Sequence, residues 1–439
     1  MRRIPLDPDL DPYALFAASR DEYPHAFILE SLSGPARLAE HTFIGFDPEV
    51  IISYRAGVLR SNGETIKTDR PLDALRAVLD ERATPGLPGR YVGGLVGYVS
   101  FEFAHALDAV PVHGDSPFPE FEFGLYLDGV IVDHRRRRAE YFTHVGSRVD
   151  DLPKAGRSTP DFRADPPKAQ TDRHRFMEAV VRAREQIREG EAFQIVLSRR
   201  DYGRMAGDPL ALYESLRQLN PSPYMYYLDF GVRRVIGASP EMLLRVEDGL
   251  ATTFPIAGTR PIGTTLAEAE RHRADLLADE KERAEHTMLV DLARNDLGRV
   301  CRFGTVRVPQ YMTVERYSHV QHIVSRVEGT LAPGKDALDA FGAVFPAGTV
   351  SGAPKPRAME ILHELEGTAR GPYAGVVGYL SLNGNLDTAL AIRTLFADGP
   401  TYYFQAGAGI VADSDPAREW METEHKADTL RAALTEAAR

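Results

Sequence analysis

The sequence predicts an α+β fold in which strands are joined by hairpins and mixed with helices, instead of a wound parallel sheet. Three observations carry this reading. Strand-like runs follow one another in the first third with turn residues between them. Helical patterns enter later without strict alternation. Residues 375–382 and 388–396 flank Asn383-Gly384-Asn385, a hairpin signature.

Each element follows from its local pattern. Residues 26–32, 50–54 and 91–99 read as strands. So do 124–132 and 139–145, with the four arginines at 135–138 as the solvated end of a hairpin. Residues 146–172 are rich in Pro, Asp, Ser, Lys and Arg and show no apolar period. They are expected to link an N-terminal α+β region, 1–145, to a larger region, 173–439. A helix over 172–189 places Phe176, Val180, Ala183 and Ile187 on one face and stops at Gly190. Residues 193–198, nearly all apolar, predict a strand buried on both faces. Strands at 224–230, 235–237 and 402–405 and helices at 266–278, 280–295, 357–366 and 416–437 complete the pattern.

Composition narrows the function classes. The 439 residues are 43% hydrophobic and 26% charged, and the formal charge of −11 disfavours nucleic acid and anionic membrane as partners. Cys301 is the single cysteine, which excludes an intrachain disulfide framework and a Cys-rich zinc site. The opening residues carry two arginines with no apolar core after them, so no secretory signal is expected, and no run approaches the ~18 apolar residues of a membrane span. A cytoplasmic protein is the expectation. Neither a P-loop nor a dinucleotide glycine fingerprint occurs in a strand-to-helix setting.

Two helices carry acids where apolar residues belong. Glu282, Glu285, Leu289 and Leu292 share one stripe, so Glu285 points toward the core side. Burying a carboxylate without a partner costs several kcal/mol, about the amount a bound cation would offset. Glu419 and Glu422 repeat the spacing on the last helix, with Leu430 and Leu434 continuing the face, although Glu422 and Lys426 equally form an ordinary i, i+4 surface pair. Oxygen ligands alone suit magnesium better than zinc. Gly407 and Gly409 follow a strand and would let backbone N–H groups approach an anion. The loop from Phe345 to Lys355 is rich in hydroxyls and small residues and runs into a helix, where Thr349 or Ser351 could cap the helix or meet an anion. Arg393, inside an apolar strand-like run, is either an ion-pair partner or a receptor for a carboxylate.

Taken together, ten ordered motifs resemble the chorismate-utilising enzyme family, which includes anthranilate, aminodeoxychorismate, isochorismate and salicylate synthases. They are FQIVLSR, GASPEM, PIAGTRP, DEKERAEHTMLVDLARNDLGRV, HVQHIVSRVEG, FPAGTVSGAPKPRAMEI, GPYAGVVGY, DTALAIRT, QAGAGIVADSDP and EWMETEHKA, from Phe193 to the C-terminus. The resemblance implies a two-layered sandwich of large, mostly antiparallel sheets with helices outside. It implies Mg²⁺ held by Glu285 and Glu422, with Glu282 and Glu419 beside them, gripping the ring carboxylate of chorismate. Arg393 and Tyr373, with the Gly407 and Gly409 N–H groups, would hold the enolpyruvyl carboxylate. Thr349 and Lys426 would complete the anion site, and His322 would lie over the ring. Glu241 matches the family's general acid for the departing 4-hydroxyl, a role that requires a raised pKa.

Two positions discriminate within the family. Members that add water at C2 carry a lysine base where Gln194 stands, and members that aminate at C4 typically carry a nucleophilic lysine where Ala257 stands. The resemblance therefore implies ammonia attack at C2 and then loss of pyruvate, giving anthranilate. Stopping before pyruvate loss, or amination at C4 without the usual lysine, are the alternatives. Cys301 lies in no nucleophile setting, so ammonia is expected from a separate glutaminase subunit, making a hetero-oligomer. Glu30-Ser31 and Asn220-Pro221-Ser222-Pro223-Tyr224-Met225 resemble the family's feedback site for L-tryptophan, with Arg37 the nearest candidate for its basic residue.

Overall fold

The computed structural model describes residues 1–34, 40–153, 161–316 and 320–439. Arg37 lies outside the described residues, as do residues 154–160 of the expected linker.

Alternating and continuous apolar runs pair into two large sheets, of 13 and 12 strands among the described residues, and every recorded strand pair is antiparallel. The sheets face each other across one core, where Phe43 of the first meets Tyr379 of the second at 5.6 Å between ring centroids. The outer face of the first sheet buries Ile28, Tyr227, Ile236, Leu395 and Phe404 under the helices Pro12–Glu22, Leu210–Leu219 and Pro416–Ala437. Each of these helices offers an apolar stripe, such as Leu430, Ala433 and Leu434, at helical spacing. The α+β sandwich expected above is the fold observed.

The two sequence halves share both sheets. In the first, Phe27–Glu30 pairs with Tyr224–Phe230, setting Glu30 opposite Met225. In the second, Gly94–Val99 pairs with Val376–Ser381. The expected linker adds two short strands, Phe162–Ala164 and Lys168–Ala169, to the edge of the Gln194–Gly207 strand, so it does not separate two cores.

Four local expectations need correction. The run 124–132 is two strands in different sheets, Phe121–Tyr126 and Asp128–Asp133, and the chain crosses over at Leu127. The run 388–396 likewise splits into Leu386–Leu390 of the second sheet and Thr394–Asp398 of the first. Arg393 therefore lies in the crossover, at φ +53°, and not inside a strand. Both faces of these strands are buried, so apolar character continues through the crossover and hides it. The strand expected at 402–405 runs Thr401–Ile410, which places Gly407 and Gly409 within the ladder. Phe193 precedes its strand and is 71% exposed.

Candidate active site

The site lies where the Gln194–Gly207 and Thr401–Ile410 strands of the first sheet run beside the acid-bearing helices Glu280–Gly298 and Pro416–Ala437. Gln194 begins its strand, and its Nε2 donates to Glu285 Oε1 at 2.9 Å. The neighbouring strand passes at contact distance because it carries glycines. A Cβ at Gly409 would lie 2.8 Å from Gln194 Nε2, and one at Gly407 would lie 2.8 Å from the Tyr373 hydroxyl. Lys426, on the C-terminal helix, donates from Nζ to the Gly407 carbonyl at 2.8 Å and to Glu422 Oε1 at 2.7 Å. The crossover turn aims Arg393 at the same helix, where its Nη1 donates to the Lys426 carbonyl at 2.9 Å.

The second sheet and its loops supply the opposite wall. Thr349 Oγ1 donates to Glu241 Oε1 at 2.8 Å. Burial pushes the Glu241 carboxyl up to about 7, against the opposing influence of that hydrogen bond and of the Lys426 charge. His322 Nδ1 lies 2.8 Å from the Gly258 carbonyl and 3.1 Å from Thr259 Oγ1. A carbonyl accepts only, so Nδ1 carries the proton, and burial followed by the Arg393 charge holds the ring below the usual histidine range. Ala257 stands beside Ile323, next to His322 across the ladder, and presents only a methyl group. Burial raises the Tyr373 hydroxyl to about 12, so it remains a hydrogen-bond donor at neutral pH.

The acids are poised differently. Glu285 is half-buried, and burial raises its pKa, opposed by Gln194 and reinforced by the charges of Glu282 and Glu422. Burial raises Glu419 as well, opposed by Ser414 and reinforced by Glu422. Glu422 itself is exposed. Glu282 faces Arg260, which also engages Asp275 and Asp279 and so clamps the junction between the two helices at 266–298. Among the described residues no three His, Cys, Asp or Glu side chains stand grouped as a metal-holding cluster. Each acid instead rests on its own partner: Glu282 on Arg260, Glu285 on Gln194, Glu422 on Lys426 and Glu419 on Ser414. The Glu422 charge raises the Glu285 pKa across the gap between the two helices, and a dication there would relieve that repulsion. The donor set, all oxygen, suits magnesium.

Sequence reasoning missed two supports. Arg260 lies within PIAGTRP but gives no periodic signal. Arg370 is fully buried, donates to the carbonyls of Val350 at 2.7 Å and Val196 at 2.6 Å, and pairs with Glu366. It thereby ties the Thr349 loop to the Gln194 strand. The i, i+4 spacing of Glu366 and Arg370 was visible, but it resembles any solvated helical pair.

Part of the expected tryptophan site comes together beside the paired Phe27–Glu30 and Tyr224–Phe230 strands. Glu30, Ser31, Tyr224 and Met225 line a cavity of about 50 Å³ with Leu29, Arg90 and Arg245. Ser31 Oγ donates to the Pro223 carbonyl at 2.7 Å, and Ser222 Oγ to the Asn220 carbonyl at 3.1 Å. Asn220 caps the Leu210–Leu219 helix, and the segment through Pro221 and Pro223 supports the cavity without lining it. Glu30 points away, onto Arg217 and Tyr213.

Comparison with known proteins agrees with this architecture. A family described as chorismate binding enzyme matches residues 24–432. The chain is 50% identical to anthranilate synthase component 1 of Methanothermobacter marburgensis, over 96% of this chain and 92% of that one. It is 41% identical to the protein of that name from Saccharolobus solfataricus, over 98% of both. The crystal structure of anthranilate synthase component I from Streptococcus pneumoniae superposes with a TM-score of 0.82 at 37% identity, covering 90% of this chain and 92% of that one. No helix among the described residues is long and apolar enough to cross a membrane. By its sheets, its crevice and these likenesses along nearly its whole length, the chain belongs to the chorismate-binding enzymes, in their anthranilate synthase component 1 branch.

Proposed function

We propose that the crevice aminates chorismate at C2 in a magnesium-dependent reaction, expels the 4-hydroxyl and eliminates pyruvate to give anthranilate. The observation that carries this reading is Glu241: a buried carboxyl raised to about 7, steadied by Thr349, is a proton donor suited to a departing hydroxyl at neutral pH. Magnesium, when bound between Glu285 and Glu422 with Glu282 and Glu419 nearby, would supply charge for the ring carboxylate. The chain's own residues do the rest. Arg393, Tyr373 and the N–H groups of the Gly407–Gly409 segment receive the enolpyruvyl carboxylate. Lys426 adds positive charge beside them. His322, neutral and fixed by Gly258, packs over the ring. Gln194 offers no base for water, and Ala257 no nucleophile, which leaves C2 open to ammonia.

Ammonia would come from a separate glutaminase subunit. L-Tryptophan would bind in the cavity lined by Ser31, Tyr224 and Met225 and lower activity, and Ser31→Ala should weaken that response. Purified protein given chorismate, Mg²⁺ and ammonium above pH 8 should release anthranilate and pyruvate together. A 4-aminated product, an aminated product without pyruvate, or no turnover would overturn the assignment.

A further inference from the structure

We propose that Arg199 is a positioning residue for this reaction: it fixes the rotation of the Pro416–Ala437 helix and thereby the places of Glu419, Glu422 and Lys426 opposite Gln194 and Glu285. The proposal rests on the reading of those groups given above.

Arg199 lies on the same strand as Gln194 but at the opposite parity, so the two side chains leave opposite faces of the sheet. Its side chain is 1% exposed. Nε donates to Thr423 Oγ1 at 2.8 Å, Nη1 to Asp201 Oδ1 at 2.7 Å, and Nη2 to Glu424. The guanidinium also lies 4.4 Å from the ring centroid of Trp420. Arg431, one helical turn and more beyond, pairs with Asp201 and Glu424 and closes the network. Three of the four groups gripping Arg199 are therefore on the helix, at 420, 423 and 424.

Helical geometry turns this grip into control of the site. Positions 420, 423 and 424 form one stripe, and 419, 422 and 426 form the adjacent one, offset by about 100° per residue. The first stripe faces Arg199; the second carries the acids and the lysine. With side-chain tips about 5–6 Å from the axis, a 20° rotation would move the Glu419 and Glu422 carboxylates by about 2 Å. Magnesium asks for near-ideal oxygen geometry and tolerates little of that. Apolar packing by Ala427, Leu430 and Leu434 holds the far half of the helix to the sheet, but such contacts are non-directional. A planar guanidinium with fixed donors is directional.

Trp420 is the only tryptophan in the chain and stacks its edge on Phe176 at 5.7 Å, so it reports on this stripe by itself. The test compares wild type, Arg199→Met and Arg199→Lys in two measurements. Amide hydrogen exchange of the ligand-free proteins should be faster in 416–426 of R199M and unchanged in 427–437, with Trp420 emission shifted to the red. The KM for magnesium should rise about 10–100-fold with a smaller change in kcat, as for loss of a group that orients metal ligands. R199K, which keeps the charge without the fork, should fall between. Wild-type exchange in 416–426, or an unchanged magnesium KM, would overturn the proposal. If R199M does not fold, Glu424→Gln removes one partner and should still raise the magnesium KM; an unchanged value overturns it. Should wild-type turnover prove independent of magnesium, the site reading fails, and the exchange comparison alone decides whether Arg199 holds the helix.

Discussion

Around the cavity beneath Leu29 and Tyr226 the two acids, Glu30 and Asp387, are each paired with an arginine and a tyrosine. Glu30 accepts from Arg217 Nε at 2.7 Å and from the Tyr213 hydroxyl at 2.6 Å, while Asp387 accepts from Arg245 and Tyr224. In the crevice the same residue types are left short. Gln194 Oε1 is buried without a hydrogen-bond partner among the described residues. Glu285 and Glu419 are raised by burial and by a neighbouring acid, and burial lowers the Arg393 pKa. Buried polar groups are normally satisfied, and each exception costs stability. The difference teaches that the two acids beside the cavity are committed to internal ion pairs, whereas Glu285 and Glu419 of the crevice lack an arginine of their own among the described residues and fit an incoming cation.

The largest test of that contrast is Glu285→Gln. If Glu285 faces magnesium as proposed, its loss should cost several kcal/mol of transition-state stabilisation, about 10³-fold in kcat/KM. Folding disfavours the ionised form of Glu285, so the ligand-free variant should melt at the same temperature or higher; a clear drop would mark the acid as structural. The converse variant is Glu30→Ala, which leaves Arg217 and Tyr213 without their acceptor. Denaturant unfolding should show a loss near the lower end of about 3–5 kcal/mol, since Arg217 keeps some solvent. Ammonia-dependent activity without tryptophan should persist in whatever remains folded.

Gly409→Ala sharpens the comparison inside the crevice. Its Cβ would press on Gln194 Nε2 at 2.8 Å and turn the amide from Glu285. A displacement of about 1 Å there should lower kcat/KM by up to about 10²-fold, with melting little changed. The smallest effect is a pH profile. Glu241 must hold its proton, so kcat/KM at fixed free ammonia should be constant below about 7 and fall about tenfold per unit above it. Glu241→Gln should abolish that limb together with most activity, and a limb that survives the substitution belongs to another group.

Much of this was legible in the residues because it rests on short-range pattern. Helical spacing exposed Glu285 as a misplaced acid, and the structure half-buries it. Gln194 and Ala257 stood out only through the family resemblance, as uncharged where other members carry lysine; Gln194 meets Glu285, and Ala257 lies on the ladder beside His322. What pattern missed was long-range. Nothing local distinguishes the crossover at Leu127 or at Arg393 from a continuous strand, because both sheets bury both neighbours. The hold of Arg260 on Glu282 and of Arg370 on Val196 joins residues far apart in sequence, and a hydrogen bond to a backbone carbonyl leaves no trace in side-chain periodicity.

The pairing of both sequence halves in both sheets has a consequence for anyone hoping to cut this protein into modules. A fragment holding 173–439 would carry every residue of the crevice but would bare the Tyr224–Phe230 strand in one sheet and the Val376–Ser381 strand in the other. Two long, apolar, unpaired edges are a template for aggregation. The N-terminal region cannot be swapped or discarded as a cassette, because its strands are also the seam that closes both sheets.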